Sequence, residues 1–180
     1  NMTNTLEIAE LAVNFRKDGV VGFDLAGEEG GYPPKKHLDA FQFIQRSNFN
    51  ITIHAGEAFG KESIWQAIQW CGAHRIGHAT RLIEDIVLND DSDVVSFGDL
   101  AQYVLDKRIP LEICLLSNLH TGAVDKLENH PFGILFKEKF RVTINTDDRL
   151  MSNTNMTEEF MTAVKYFSLS FDDVEKITIN

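Results

Sequence analysis

Five short runs of β-branched and apolar residues recur along this chain, and their length limits what it can fold into. They are Val20–Leu25, Ile51–His54, Arg75–His78, Leu111–Leu116 and Arg141–Thr146, each four to six residues. Runs of that size suit strands and are too short for packed helices. Between them lie segments with helical spacing. Leu6, Ala9, Ala12 and Val13 mark the first, ending before Asp18-Gly19, and Leu38, Phe41 and Ile44 the second. Ile64, Ala67, Ile68 and Cys71 mark a third with Gly72 as its left-handed stop, and Leu100, Val104 and Leu105 a fourth closed by Pro110. Pro131 opens a fifth. A longer helix is predicted from Asn155 or Thr157 to Phe167, and Ser170 caps another beginning at Phe171. Strands alternating with such helices predict βαβ units, hence an α/β parallel sheet in a single domain over residues 1–180.

The chemical class is narrowed by charge and cysteine content. The 180 residues carry 17 Lys plus Arg against 27 Asp plus Glu, a formal net charge of -10. A surface that acidic repels phosphate backbones, so nucleic acid is an unfavourable partner. No run approaches the roughly 18 to 20 apolar residues that cross a bilayer. The opening residues show no charged stretch followed by an apolar one, and Cys71 and Cys114 each sit in an apolar run, reading as reduced core thiols. A soluble, cytoplasmic protein is expected, without membrane association.

Chemistry is concentrated at the strand ends. In parallel α/β folds, ligands bind beyond the C-terminal ends of the strands. Here those ends read Asp24-Leu25-Ala26-Gly27-Glu28-Glu29, His54-Ala55-Gly56-Glu57, His78, Ser117-Asn118 and Asp147-Asp148. A lone histidine at a strand end is commonly a polar cap, but His54 with Glu57 three residues on can face one centre from a tight Ala-Gly turn. Imidazole binds Zn²⁺, and an unliganded carboxyl beside it can move a proton. Asp147-Asp148 is either a helix cap or a pair whose repulsion a divalent cation offsets; on a strand, the two side chains would point in opposite directions. His74 and His78 resemble a helical metal pair only if Arg75–Gly77 is not a strand. His37 and His130 are expected in surface or capping roles, and His120 remains open.

At these residues the sequence resembles the adenosine deaminase family of zinc aminohydrolases. The blocks that carry the resemblance are Gly22–Glu29, His54-Ala55-Gly56-Glu57, Arg75-Ile76-Gly77-His78, Leu111–Cys114 leading to Ser117-Asn118, His130-Pro131-Phe132 and Val142–Asp148. The resemblance implies a partial TIM (β/α)8 barrel, parallel strands four to eight with their helices, and a place in purine salvage. It implies zinc as cofactor, with His54 and Asp147 as ligands, and a purine nucleoside as substrate. By the same resemblance Glu57 donates a proton to the purine N1, and His78 orients and helps deprotonate the attacking water. Asp148 holds that oxygen and the purine N7, and the Gly27 N–H binds N3, where a Cβ would intrude. Two positions depart from the family pattern: Ala79 stands where Gly usually follows the histidine, and Arg149 where Pro usually follows the Asp pair.

Two zinc ligands fall short of the three that catalytic sites use, and no His-x-His occurs in the chain. The sequence is therefore expected to be the C-terminal part of such an enzyme, truncated at both ends. Adenosine, together with 2′-deoxyadenosine, would be deaminated by the intact protein, and this part alone would be inactive. Adenine deaminase and a non-catalytic deaminase-like module are the alternatives. Five strands with open edges and uncovered apolar faces would favour self-association.

Overall fold

The computed structural model describes residues 3–179; Asn1, Met2 and Asn180, at the ends of the expected domain, lie outside the described residues. The strands are β1 (Gly22–Leu25), β2 (Asn50–Ala55), β3 (Arg75–His78), β4 (Ile86–Leu88), β5 (Val94–Phe97), β6 (Leu111–Ile113) and β7 (Val142–Ile144). The helices are α1 (Thr3–Asn14), α2 (Leu38–Arg46), α3 (Lys61–Gln69), α4 (Asp99–Asp106), α5 (Leu115–His120), α6 (Phe132–Lys137), α7 (Arg149–Ser152), α8 (Met156–Phe167) and α9 (Phe171–Ile179). None of them is long and apolar enough to cross a membrane.

β1, β2, β3, β6 and β7 form one sheet in that order, and every neighbouring pair is parallel. The register sets Asp24 beside Thr52, His54 beside Gly77, and Gly77 beside Glu112. Parallel pairing brings all five C-terminal ends to one side, where the predicted motifs meet.

Alternation along the strands divides the sheet into two chemically different faces. Phe23, Ile51, Ile53, Ile76, Leu111, Ile113, Val142 and Ile144 are buried in the core with apolar side chains of the helices. Asp24, Asn50, Thr52, His54, Arg75, Glu112 and Thr143 occupy the other positions, half-buried or exposed. Arg75 Nε donates to Glu112 Oε1. The expectation of uncovered apolar faces is thereby corrected: the face without helices is polar.

Helix ends follow their local chemistry. Gly19 (φ 102°) and Gly72 (φ 66°) take the left-handed conformation after α1 and α3. Asn155 Oδ1 accepts the Glu158 N–H at 3.1 Å to start α8. Ser170 and Asp173 bond reciprocally at the start of α9, Ser170 Oγ accepting the Asp173 N–H and Asp173 Oδ2 accepting the Ser170 N–H.

Two local readings differ from the structure. The fourth run ends as a strand at Ile113, and Leu115-Leu116 begin α5 instead. The change is tertiary in origin: Glu159 of α8, buried, accepts the Leu116 N–H with Oε2 at 3.4 Å, doing at this helix start what Cys114 does not. Strands β4 and β5 form an antiparallel hairpin that no run announced. Its turn is organised by Asn89 Oδ1, which accepts the N–H groups of Asp91 and Asp93.

Phe41 of α2 is fully buried edge-on to Phe23, ring centroids 5.7 Å apart. Phe41→Ala is expected to lower the free energy of unfolding by about 3–5 kcal/mol, the usual cost of emptying a core phenylalanine. The shift of the chemical-denaturation midpoint measures it.

Candidate active site

The loop leaving β2 is built by a side chain from the loop leaving β1. Glu29 Oε1 accepts the Gly56 N–H at 2.6 Å, and Oε2 accepts those of Glu57, Ala58 and Phe59 at 3.0, 2.7 and 3.0 Å. One carboxylate thus satisfies four consecutive backbone donors, as an anion in a backbone nest does. On the other side, Thr80 Oγ1 and the Arg81 N–H both donate to the Gly56 carbonyl. Gly56 itself has φ 75°, and a Cβ there would lie 2.5 Å from Ile64 Cδ1. The position requires glycine on both counts.

Above this loop, His54 lies over Gly77, where a Cβ would approach His54 Cδ2 to 2.8 Å. Its Nε2 is 3.6 Å from Asp24 Oδ2, and its ring stands edge-on to His78, centroids 4.9 Å apart. Burial raises the Asp24 carboxyl above its ordinary value, against the opposing pull of His54. His78 is buried, with φ 65°, and Ala79 follows at φ 54°. A glycine would take that second conformation without cost, so the substituted position is the one where the departure is felt. Burial pushes His78 below its ordinary value, the nearby Glu57 carboxylate opposing.

Glu57 is half-buried and held by its Oε1, which accepts from Asn118 Nδ2 at 3.0 Å and Thr121 Oγ1 at 2.9 Å. Its Oε2 lies 3.7 Å from His78 Nε2. Asn118 Nδ2 also sits 3.0 Å from His78 Nδ1. Asp147 adopts φ 53°, and its Oδ2 accepts the Ser117 hydroxyl at 2.6 Å. Asp148 Oδ1 accepts the Leu150 and Met151 N–H groups, capping α7. Because β7 ends at Ile144, Asp147 is a left-handed residue and Asp148 a helix cap, and strand alternation does not orient the pair. That corrects the strand-based geometry for the two carboxylates.

Potential metal donors of His78, Cys114 and Asp147 lie within 4.8 Å of one another. Nitrogen, sulfur and carboxylate donors suit Zn²⁺. Burial first, and the Asp147 charge after it, push the Cys114 thiol far up. His54 faces Asp24 beside this group.

Gly27 (φ 129°) has open space where a Cβ would stand. It lines a cleft of about 290 Å³ with Leu25, Glu29, Tyr32 and His54, and a neighbouring one of about 380 Å³ with Glu57 and Thr121. The remaining histidines separate. His74 Nδ1 accepts the Ile51 N–H, so it is no metal partner of His78. His37 Nδ1 bonds Thr5 Oγ1 at 2.9 Å, and His120 is exposed at the end of α5. His130 is not a surface residue. It is buried, its Nδ1 accepts the Phe132 N–H at 3.0 Å, and its Nε2 lies 3.2 Å from Asn118 Oδ1.

The site thus contains Glu29, Asn118, Thr121 and His130 in structural roles that spacing did not assign. The blocks held Glu29, Asn118 and His130, though not Thr121, but their partners lie far off in sequence: 28 positions separate Glu29 from Glu57, and 61 separate Asn118 from it.

The adenosine deaminase family profile matches residues 1–180. Adenosine deaminase 1 of Streptomyces coelicolor is 56% identical over 176 residues, covering 98% of this chain and 44% of that protein. Adenosine deaminase of Mycobacterium marinum is 53% identical, covering 97% and 48%. Among solved structures, adenine deaminase from Arthrobacter aurescens superposes with TM-score 0.84 at 25% identity, over 98% of this chain and 50% of that one. The apo N6-methyl-AMP deaminase from Arabidopsis thaliana gives 0.80 at 29%, over 98% and 48%. The chain spans about half the length of the curated relatives it matches.

Two outcomes follow from this geometry. Glu29→Ala leaves four backbone donors of the 56–59 loop without their acceptor, and hydrogen exchange at those amides is expected to quicken at least about tenfold, one hydrogen bond to a charged group contributing about 1.5–3 kcal/mol. Unchanged exchange would show that the loop holds itself. Burial lowers His130 from 6.5 to about 3. Below pH 6.5 the unfolded chain takes up a proton that the native ring refuses. Stability is therefore complete above 6.5 and falls by up to about 1.4 kcal/mol per pH unit toward pH 3. Thermal melts across that range read the slope, which His130→Gln should reduce.

Proposed function

The chain belongs to the adenosine deaminase family, and on that premise we propose that the full-length protein carrying it hydrolyses adenosine, and 2′-deoxyadenosine, to inosine and ammonia in cytoplasmic purine salvage. The observation that carries this reading is the way Glu57 is held. Both hydrogen bonds to its carboxylate fall on Oε1, leaving Oε2, on the His78 side, to carry a proton to the substrate.

Water adds across the C6–N1 bond of the purine, its oxygen to C6 and a proton to N1. The C6–N6 bond then breaks, and the water's second proton leaves with the amino group as ammonia. Glu57 delivers the N1 proton, a role that general acids fill with about 10²- to 10⁴-fold effect. His78 and Asp148 hold the attacking oxygen; Asp148 spends Oδ1 on α7 and keeps Oδ2, which accepts from that oxygen and, once it has taken up a proton, donates to the purine N7. The N–H of Gly27, in the cleft beside His54, donates to N3.

His54 and Asp147 would hold Zn²⁺, completed by ligands outside this chain. Bound there, the ion supplies Lewis acidity, lowering the pKa of a water from 15.7 to about 7. A second ligand set, His78 with Cys114 and Asp147, brings its donor atoms within 4.8 Å of one another, but burial disfavours the thiolate that it would need. With two ligands of its own, the 180-residue chain alone is expected to be inactive, and the outer strand β1 of its sheet to favour self-association.

The test is the fall in ultraviolet absorbance when the zinc-loaded full-length protein meets adenosine. Glu57→Gln should lower kcat by about 10²- to 10⁴-fold at unchanged zinc content. His54→Ala should lose zinc, and Cys114→Ser should keep it. Turnover of adenine in preference to adenosine would instead favour the activity that the Arthrobacter protein is named for; normal turnover by Glu57→Gln would remove the acid from the scheme.

A further inference from the structure

Four buried groups behind the site form a hydrogen-bond chain in which every donor is determined by the one before it. The chain starts at the Phe132 backbone N–H, which can only donate, and it points at His130 Nδ1 from 3.0 Å. That nitrogen must therefore hold a lone pair. Burial keeps His130 neutral down to about pH 3, so its single proton is on Nε2, 3.2 Å from Asn118 Oδ1. An amide oxygen accepts and an amide nitrogen donates. Asn118 is thus fixed with Oδ1 toward His130 and its NH₂ toward the site. The two amide hydrogens are directed to Glu57 Oε1 and His78 Nδ1, both at 3.0 Å.

We propose that Asn118 is a positioning residue which, oriented by His130 and the Phe132 N–H, fixes the neutral His78 ring as the tautomer with its lone pair at Nδ1 and its proton at Nε2. The same amide holds the Glu57 carboxylate, so one side chain sets the spacing and the hydrogen-bonding direction of both reacting groups. Asn118, His130 and His78 are all buried, at 0%, 3% and 1% exposure, so water does not supply an alternative partner cheaply.

Two consequences follow. A ring whose lone pair is occupied by Asn118 presents an N–H to the site, and His78 then orients an oxygen by donating to it instead of taking its proton. It also has no lone pair at Nε2 for a metal, since metal at Nε2 would require a proton at Nδ1, facing the donor Asn118 Nδ2. His78 accordingly stands outside the ligand set. What the N–H does for substrate rests on the deaminase reading above; the tautomer rests on the hydrogen bonds alone.

The experiment is long-range ¹H–¹⁵N correlation on the zinc-loaded full-length protein with ¹⁵N-labelled histidine, together with kcat and KM for adenosine. His78 should show an unprotonated Nδ1 in the wild type. In His130→Gln, whose amide can still donate to Asn118, the tautomer and most activity should be kept. Asn118→Asp puts an acceptor where the donor was, and should move the proton to Nδ1 and lower kcat by about 10- to 150-fold, the loss expected for hydrogen bonds to a charged group, with KM within about threefold. His130→Leu, which unpins the amide, should give an intermediate kcat. A wild-type His78 with its proton on Nδ1 would overturn the proposal whatever the variants do, as would an Asn118→Asp enzyme with wild-type kcat. The expected tautomer in a protein that deaminates no purine would support the hydrogen-bond chain and defeat only the deaminase reading.

Discussion

Parallel pairing of five strands is the constraint on which the rest depends. Because every pair in the sheet is parallel, the loops after β1, β2, β3, β6 and β7 all leave on one side. Side chains far apart in the sequence meet there without any of these strands having to bend toward another. The strand alternation adds a second effect: apolar residues take the helix-covered face, and Asp24, Thr52, His54, Arg75 and Glu112 take the open one. That open face sets opposite charges side by side, as at Arg75 and Glu112.

Much of this was legible in the residues. Arg75–His78 is a strand with the bounds its pattern predicts, the long helix begins beside Asn155 as expected, and Ser170 sits at the helix start it was expected to cap. Gly72 stops its helix in the left-handed conformation as expected. These are local effects, fixed within a few residues. What the pattern could not show was settled across the fold. Leu115-Leu116 are as apolar as the strand before them, and the acceptor at their helix start is Glu159 of α8, not a neighbour in sequence. His130 has the sequence context of a surface cap, and it is buried beside Phe132, which stacks on Phe136 and meets Phe167 edge-on.

The site shows the same division. Its residue types were visible because histidines, a glutamate and paired aspartates at strand ends are uncommon together. Its geometry was not, because each reacting group is held by a partner from another element: Glu57 by Asn118 and Thr121, Asp147 by Ser117, and the His54–Glu57 loop by Glu29. His78 and Asp147 both have positive φ, a conformation that side chains accept when the surroundings over-determine it. Two such residues facing each other across the site indicate a backbone shaped for placement of groups rather than for its own stability.

Glu159 carries a consequence for the site. Helix α5 has six residues, no capping side chain of its own, and a start secured by a carboxylate 43 positions further along. A helix that short does not persist in isolation. Asn118 rides on α5. The amide that governs Glu57 and His78 therefore depends on α8 as well as on the sheet, so a change that loosens α8 reaches the reactive geometry through α5.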